Sequence, residues 1–267
     1  MEQPVWAGGV HSPDVPNLAR IRDYWLGGSH HSEADRDLAG RFIVCVPHMP
    51  YLVRTHRALL RRMVSHLVRA GVRQFLDLGT GLPTAGNVHE VAQAIEPDCR
   101  VLYVDIEPAI AEEGRELLAD NPNAGFACAD MLSPEQVLSA PERKELIDLD
   151  EPVAVLLLDV LHHVPDDQQP KKLLTTYLAA ASEGSYLGLS HLGQDQATTI
   201  GSSIFTKLFG PVPNLTFRES ADLVPFFEGL VLEEPGLVPV PLWHPDGDTD
   251  RYPEWFHGYA GLGRKFG

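Results

Sequence analysis

Acidic and imidazole side chains recur in this sequence just after short apolar runs, a spacing that suits ligand binding. Asp77 lies in the run ending at Leu78 and Gly79 and Gly81 follow it, Asp105 follows Val104, and Asp130 with Met131 follows the run ending at Cys128. Asp159 with His162 and His163 follows Leu158, and Ser190 with His191 follows Leu189. Paired glycines give a turn that lets a small molecule reach the main chain, where any Cβ would block it. A carboxylate at Asp105 can accept two hydrogen bonds from a ribose diol. At Asp130 a carboxylate can take an exocyclic amine while the Met131 thioether packs on the ring. Imidazole titrates near neutrality, which makes His162, His163 and His191 candidate general bases.

These residues need a scaffold that brings the ends of several strands together. From Gln74 onward, strand and helix alternate, as expected for a mostly parallel sheet with helices on both faces. Strands are predicted at 74–78, 100–104, 125–128, 153–158 and 186–190, with later ones near 230–233 and 259–263. The run 153–158 is the most apolar, and strands covered on both faces lose their alternation. In such sheets ligands bind beyond the carboxyl ends of the strands, where the strand order reverses. Pro83 is expected early in the helix after the glycine turn, and Asn87 to Glu96 is expected as the first helix of the alternation.

Before the first strand, three helices are expected. One spans 13–28, capped by Asn17 and ended by Gly27 and Gly28. A second opens on a Ser32 and Asp35 capping box and runs toward Pro47. The third, 51–70, is amphipathic, with Leu52, Leu59, Leu60, Met63, Val64 and Leu67 on one side and Arg54, Arg57 and Arg61 off it. Residues 1–73 thus read as a helical cap and 74–267 as a Rossmann-like domain, together one globular unit. Segment 191–217 reads as a loop with a short helix and 235–253 as an extended surface loop.

Composition excludes several roles. The chain has 267 residues and a net charge of −16, which argues against a nucleic-acid backbone as the main partner. Residues 1–73 carry ten Arg, no Lys and six acids, so the remainder holds eleven basic and thirty-one acidic residues. Cys45, Cys99 and Cys128 form no CxxC pair, so no structural zinc site or disulfide framework is expected, and no metal. No run approaches the length of a membrane helix and the start lacks a signal-peptide pattern, so a cytoplasmic protein is expected.

Glycine turns of this kind serve nicotinamide dinucleotides, flavins and S-adenosylmethionine. A dinucleotide fingerprint needs a third glycine where Thr84 stands. The series Asp77-x-Gly79-x-Gly81, Asp105, Asp130-Met131 and Asp159-Val-Leu-His162-His163 instead resembles motifs I to IV of class I S-adenosylmethionine-dependent methyltransferases over residues 72 to 192. Ala19 to Gly28 and Gln74 to Thr84 also resemble a bacterial S-adenosyl methyltransferase family long catalogued as a domain of unknown function. The resemblance implies S-adenosyl-L-methionine as cofactor, with Gly79 and Gly81 at its methionine part, Asp105 at the ribose and Asp130 at the adenine. Asp77, Thr84, Ile106, Met131 and Asp159 complete the expected contacts from the sheet. Asp23 and Arg57 are expected to join them from the helical cap, with Tyr24 joining His162 and His163 as a candidate catalytic group. Methyl transfer to a small or medium-sized acceptor is the leading expectation. A non-catalytic cofactor-binding sensor or accessory protein stands second, an NAD(P)-dependent reductase third, and the oligomeric state is left open.

Overall fold

The computed structural model describes residues 14–84, 86–210, 215–246 and 256–266. Five parallel strands form the heart of the sheet: β1 (Gln74–Leu78), β2 (Arg100–Asp105), β3 (Ala124–Cys128), β4 (Ala154–Leu158) and β5 (Tyr186–Leu192). β6 (Leu230–Leu232), β7 (Val238–Pro239) and β8 (Gly258–Lys265) follow, and β8 pairs antiparallel with β5, β6 and β7. The order β3-β2-β1-β4-β5-β8-β6, with β7 also on β8, reverses direction between β1 and β4. That junction is the switch point where a ligand crevice opens.

The period of two along each strand sorts the core into two layers. Phe75, Val101 and Tyr103 face one apolar layer, while Leu76, Leu78, Leu102 and Val104 face the other. Helix α3 (Met49–Arg69) lies in the first layer through Leu59, Met63, Val64 and Leu67, so this helix shares the sheet's own core. α1 (Leu18–Leu26) and α2 (Glu33–Cys45) build a smaller cluster around Ile21, Trp25, Leu38 and Phe42.

Local signals explain most element boundaries. Asn17 Oδ1 accepts from the Ala19 and Arg20 amides, and Gly27, at φ 82°, ends α1. α1 therefore starts at Leu18, later than the expected 13; Pro13 itself lies outside the described residues. Ser32 and Asp35 form the anticipated capping box of α2. α4 (Val88–Ile95) begins five residues beyond Pro83, which lies in the loop instead. The Asn87 amide donates to Glu90 Oε2 at 2.9 Å, and this reciprocal cap sets the start.

The later part of the chain is more ordered than the sequence suggests. α5 (Pro108–Leu117), α6 (Pro134–Ser139), α7 (Pro141–Leu146) and α8 (Pro170–Ala180) connect the parallel strands. Within 191–217 lies the fourteen-residue α9 (Gln196–Phe209), capped by Asp195. Its Phe205 stacks on Phe42 at 4.1 Å, tying α9 to α2. Burying an aromatic ring completely contributes on the order of 1.5–3 kcal/mol, enough to order a helix whose own sequence is weakly helical. α10 (Ser220–Leu223) precedes β6. Within 235–246, Val240 and Trp243 are fully buried, and Arg62 of α3 donates to both carbonyls. This half of the expected surface loop is part of the core; 247–255 lies outside the described residues.

Candidate functional site

The first strand ends in a bare turn. Gly79 and Gly81 have φ of 69° and 66°, a region L side chains rarely adopt. A Cβ on Gly79 would sit 2.3 Å from Val160 Cγ2, and one on Gly81 would sit 3.3 Å from Ala19 Cβ. The turn is thus clamped between the β4 end and α1. Val104 O holds it from below, accepting from the Gly79 and Thr80 amides.

Acids ring this turn. Asp77 is buried, and burial pushes its carboxyl up to about 7, against a hydrogen bond from Thr80 and the positive Arg57. Arg57 reaches across to Asn87 Oδ1 at 2.7 Å, with its own pKa lowered by burial and by Arg22. Asp105 accepts from the Gly81 amide at 2.9 Å and the Glu107 amide at 3.1 Å, and burial raises its pKa. Ile106 beside it is exposed. Asp130 accepts from the Leu132 amide at 2.8 Å, and Met131 O accepts from Tyr177 Oη at 2.8 Å.

Three contacts from α1 and its N-cap fasten that helix to this region. Thr84 Oγ1 donates to Asp23 Oδ1 at 2.5 Å, and the second Asp23 oxygen accepts from the His30 amide. Asn17 Nδ2 donates to Glu107 Oε2 at 2.5 Å. Arg22 pairs with Asp159 at 2.5 Å. Asp23 and Thr84 therefore satisfy each other, which a reading of either residue alone does not reveal. Tyr24 lies on the outer side of α1, its ring edge-on to His31 at 5.1 Å.

Asp159 has φ 60°, unusual for a non-glycine residue, and such strain persists only when its surroundings enforce it. Ser190 Oγ accepts its amide at 2.9 Å, and His56 Nε2 lies 3.2 Å from Oδ1. Burial opposes its ionisation, but Arg22, His56 and His162 outweigh that and hold the carboxyl well below the carboxylate range. Burial lowers His56 to about 4 and His162 well below its ordinary value, the latter helped by His163. His163 is lowered by burial too. These imidazoles are neutral at pH 7. His191 is used elsewhere: Nδ1 donates to Leu192 O, and Nε2 accepts from Arg218 at 2.8 Å.

Beside Asp159 opens a cavity of about 100 Å³, walled by α1, α2, α3, α9 and the ends of β4 and β5. Its lining combines Phe42, Met49, Val53 and Phe217 with Arg22, His56, Asp159, His162 and His163; Tyr24 is not part of it. A larger open hollow runs along α8 between Asp166 and Phe226, lined by Lys171, Lys172, Thr175 and Thr176. It is an exposed helix flank away from the glycine turn.

The profile of a family described as S-adenosyl methyltransferase matches residues 10–266. The chain belongs to that family. A structure from Thermobifida fusca, described as a candidate methyltransferase, is 37% identical, with 94% of this chain and 96% of that one covered at a TM-score of 0.85. A duf574-family protein from Streptomyces avermitilis is 36% identical over 94% and 97% of the two chains, also at 0.85. No curated protein matches.

The residues of this methyltransferase fit S-adenosylmethionine on structural grounds. The turn between Leu78 and Leu82 is bare of side chains at both glycines, and buried Asn87 Nδ2 at its far end has no hydrogen-bond partner among the described residues. An orphaned donor there suits a cofactor carboxylate. Among the described residues no helix is long and apolar enough to cross a membrane, and no group of three metal-ligating side chains converges. Arg22 and His56 escaped the sequence reading. Arg22 sat in a run of charges resembling a solvated face, and His56 was one position among the apolar residues of α3. Only the β4 turn gives either a role.

Proposed function

We propose that this methyltransferase transfers a methyl group to a small or medium-sized acceptor, with Gly79, Gly81, Asp105 and Asp130 as the core of its cofactor site. The observation that carries this reading is the bare, positive-φ turn at the β1/β4 switch point, with a carboxylate at the end of each neighbouring strand. When bound, S-adenosylmethionine supplies an electrophilic methyl on a sulfonium sulfur. Gly79 and Gly81 let the methionine portion lie against main chain, with Asp77, Thr84 and Asn87 beside it. Asp105 accepts from the ribose and Asp130 from the adenine amine, with Ile106 and Met131 flanking the ring. Arg57, Asp23 and Arg22 belong to the wall that closes over the turn, and that wall excludes water from a reaction depending mainly on alignment. Asp159 keeps its negative charge beside the histidines, where it can stabilise a transient imidazolium. The overall charge of −16 favours a small acceptor over a nucleic-acid strand.

Calorimetric titration with S-adenosylmethionine, S-adenosylhomocysteine and NAD tests the assignment. Both sulfur compounds should bind and NAD should not. Hydrogen bonds to a charged group contribute about 1.5–3 kcal/mol, so Asp105→Ala should weaken S-adenosylhomocysteine by roughly 10- to 100-fold. Undiminished affinity would reject the ribose assignment, and no binding of either sulfur compound would reject the cofactor site.

A further inference from the structure

Two buried imidazole nitrogens face Asp159 with nothing to bond. His56 and His162 are each 4% exposed, and His56 Nε2 and His162 Nδ1 have no hydrogen-bond partner among the described residues. They lie 3.2 and 3.7 Å from Asp159 Oδ1, at ion-pair distance but without hydrogen-bond geometry. Buried polar atoms in folded proteins are almost always paired, so two orphans beside one cavity mark the place of a missing polar atom.

A contact on the far side of the His56 ring bears on its tautomer. Ser190 Oγ accepts from the Asp159 amide and lies 3.2 Å from His56 Nδ1, and we take its single hydrogen to point at that nitrogen. His56 Nδ1 is then an acceptor, and Nε2 is the N–H of this neutral ring. Nε2 can donate to an incoming oxygen, while unpaired His162 Nδ1 can accept a proton from it. Arg22 is committed to Asp159, and the second carboxylate of the lining, Asp195, accepts from the Ala197 and Thr198 amides and from Thr198 Oγ1, so the charged groups of the cavity already have partners. Phe42, Met49, Val53 and Phe217 supply apolar walls, and the volume of about 100 Å³ is close to one ring. An engineered apolar cavity of about 150 Å³ accepts benzene.

We propose that this cavity is the acceptor site, and that it takes a neutral hydroxyl compound about one ring in size whose oxygen lies between His56 Nε2 and His162 Nδ1. The proposal rests on the methyltransferase reading for its chemistry, and its location agrees with that reading. Asp159 of the lining precedes Val160, the residue that a Cβ on Gly79 would strike, so one residue separates the cavity wall from the glycine turn. In the transfer the acceptor oxygen gains a bond to the methyl carbon. The carbon–sulfur pair stays on sulfur, leaving S-adenosylhomocysteine, and the hydroxyl proton passes to His162 Nδ1 beside the negative Asp159. His56 holds the oxygen and His162 is the base.

Phenol and toluene are suitable probes, titrated into the full chain with and without S-adenosylhomocysteine. Phenol should bind about tenfold more tightly than toluene, as one or two net hydrogen bonds predict. In 15N-histidine spectra, phenol should shift His56 Nε2 and His162 Nδ1 while leaving His66 and His244 in place. Ser202→Trp, which puts a large ring into the cavity from half-buried α9, should abolish phenol binding and leave S-adenosylhomocysteine bound. Phenol that fails to bind, prefers no hydroxyl, or binds Ser202→Trp unchanged overturns the acceptor site. Failure of S-adenosylhomocysteine to bind, with phenol still bound, counts against the cofactor assignment instead.

Discussion

Replacing Asp77 by Asn should make this protein more stable, and the effect should depend on pH. Asp77 is 6% exposed, and its carboxyl rises from 3.8 to about 7 because burial disfavours the charge more than Thr80 and Arg57 favour it. A group whose folded pKa lies above its unfolded pKa contributes most below the unfolded value, and that contribution is lost as pH rises through the folded one. Stability contributed by Asp77 is therefore present near pH 4 and gone by pH 8. The rise corresponds to about 4 kcal/mol. Asn is nearly isosteric, keeps an oxygen for Thr80, and carries no charge at any pH. Asp77→Asn should gain up to about 4 kcal/mol at pH 8, shrinking below about 1 kcal/mol at pH 4. For a chain of this size that is an increase in Tm of roughly 8–16 °C at pH 8. Urea or thermal denaturation at pH 8, 6 and 4 measures it. An Asp77→Asn variant no more stable than wild type at pH 8, or a gain independent of pH, would refute the reasoning. A stabilised variant that binds S-adenosylhomocysteine more weakly would show why a buried carboxylate is kept.

Gly79→Ala should cost about 2–5 kcal/mol, combining roughly 1–2 kcal/mol for positive φ with about 1–3 kcal/mol of crowding against Val160. Tm should fall by roughly 5–15 °C; a fall of less than about 2 °C would mean the turn adapts freely. Arg22→Met leaves Asp159 with only imidazoles for company. Breaking a buried pair costs about 3–5 kcal/mol, reduced here to about 2 because Arg22 is partly exposed. The loss should be larger at pH 8 than at pH 5, since removing Arg22 lifts His56 from its depressed value near 4 and lets an imidazolium replace the lost charge. Denaturation at the two pH values decides; an equal loss at both would separate His56 from Asp159.

Much of the sheet was legible because its signals are local. The apolar run 74–78, the capping pair Ser32 and Asp35, and Asn17 followed by Gly27 each specify an element through adjacent residues, and the structure places those elements there. The glycine turn was legible for the same reason, since positive φ and missing Cβ atoms are properties of single positions. The helix expected over 87–96 stands where the sequence puts it, and only the place of Pro83 differs, because two signals compete. Pro83 is a plausible first helical residue until the Asn87 and Glu90 cap, four residues on, is given priority.

Other features have no local signature. α9 depends on Phe205 meeting Phe42 across 163 positions, and the buried Trp243 depends on Arg62 of α3. Within the site, sequence alone determined the row of strand-end acids, because β strands expose their last residues at a common edge. Only the tertiary structure decided that Asp23 is spent on Thr84, that Arg22 neutralises Asp159, and that His56 completes a buried group with His162. The reason is physical: burial and charge pairing, which set the ionisation of Asp77, Asp159 and the histidines, are fixed by what folds against a residue rather than by what precedes it in the chain.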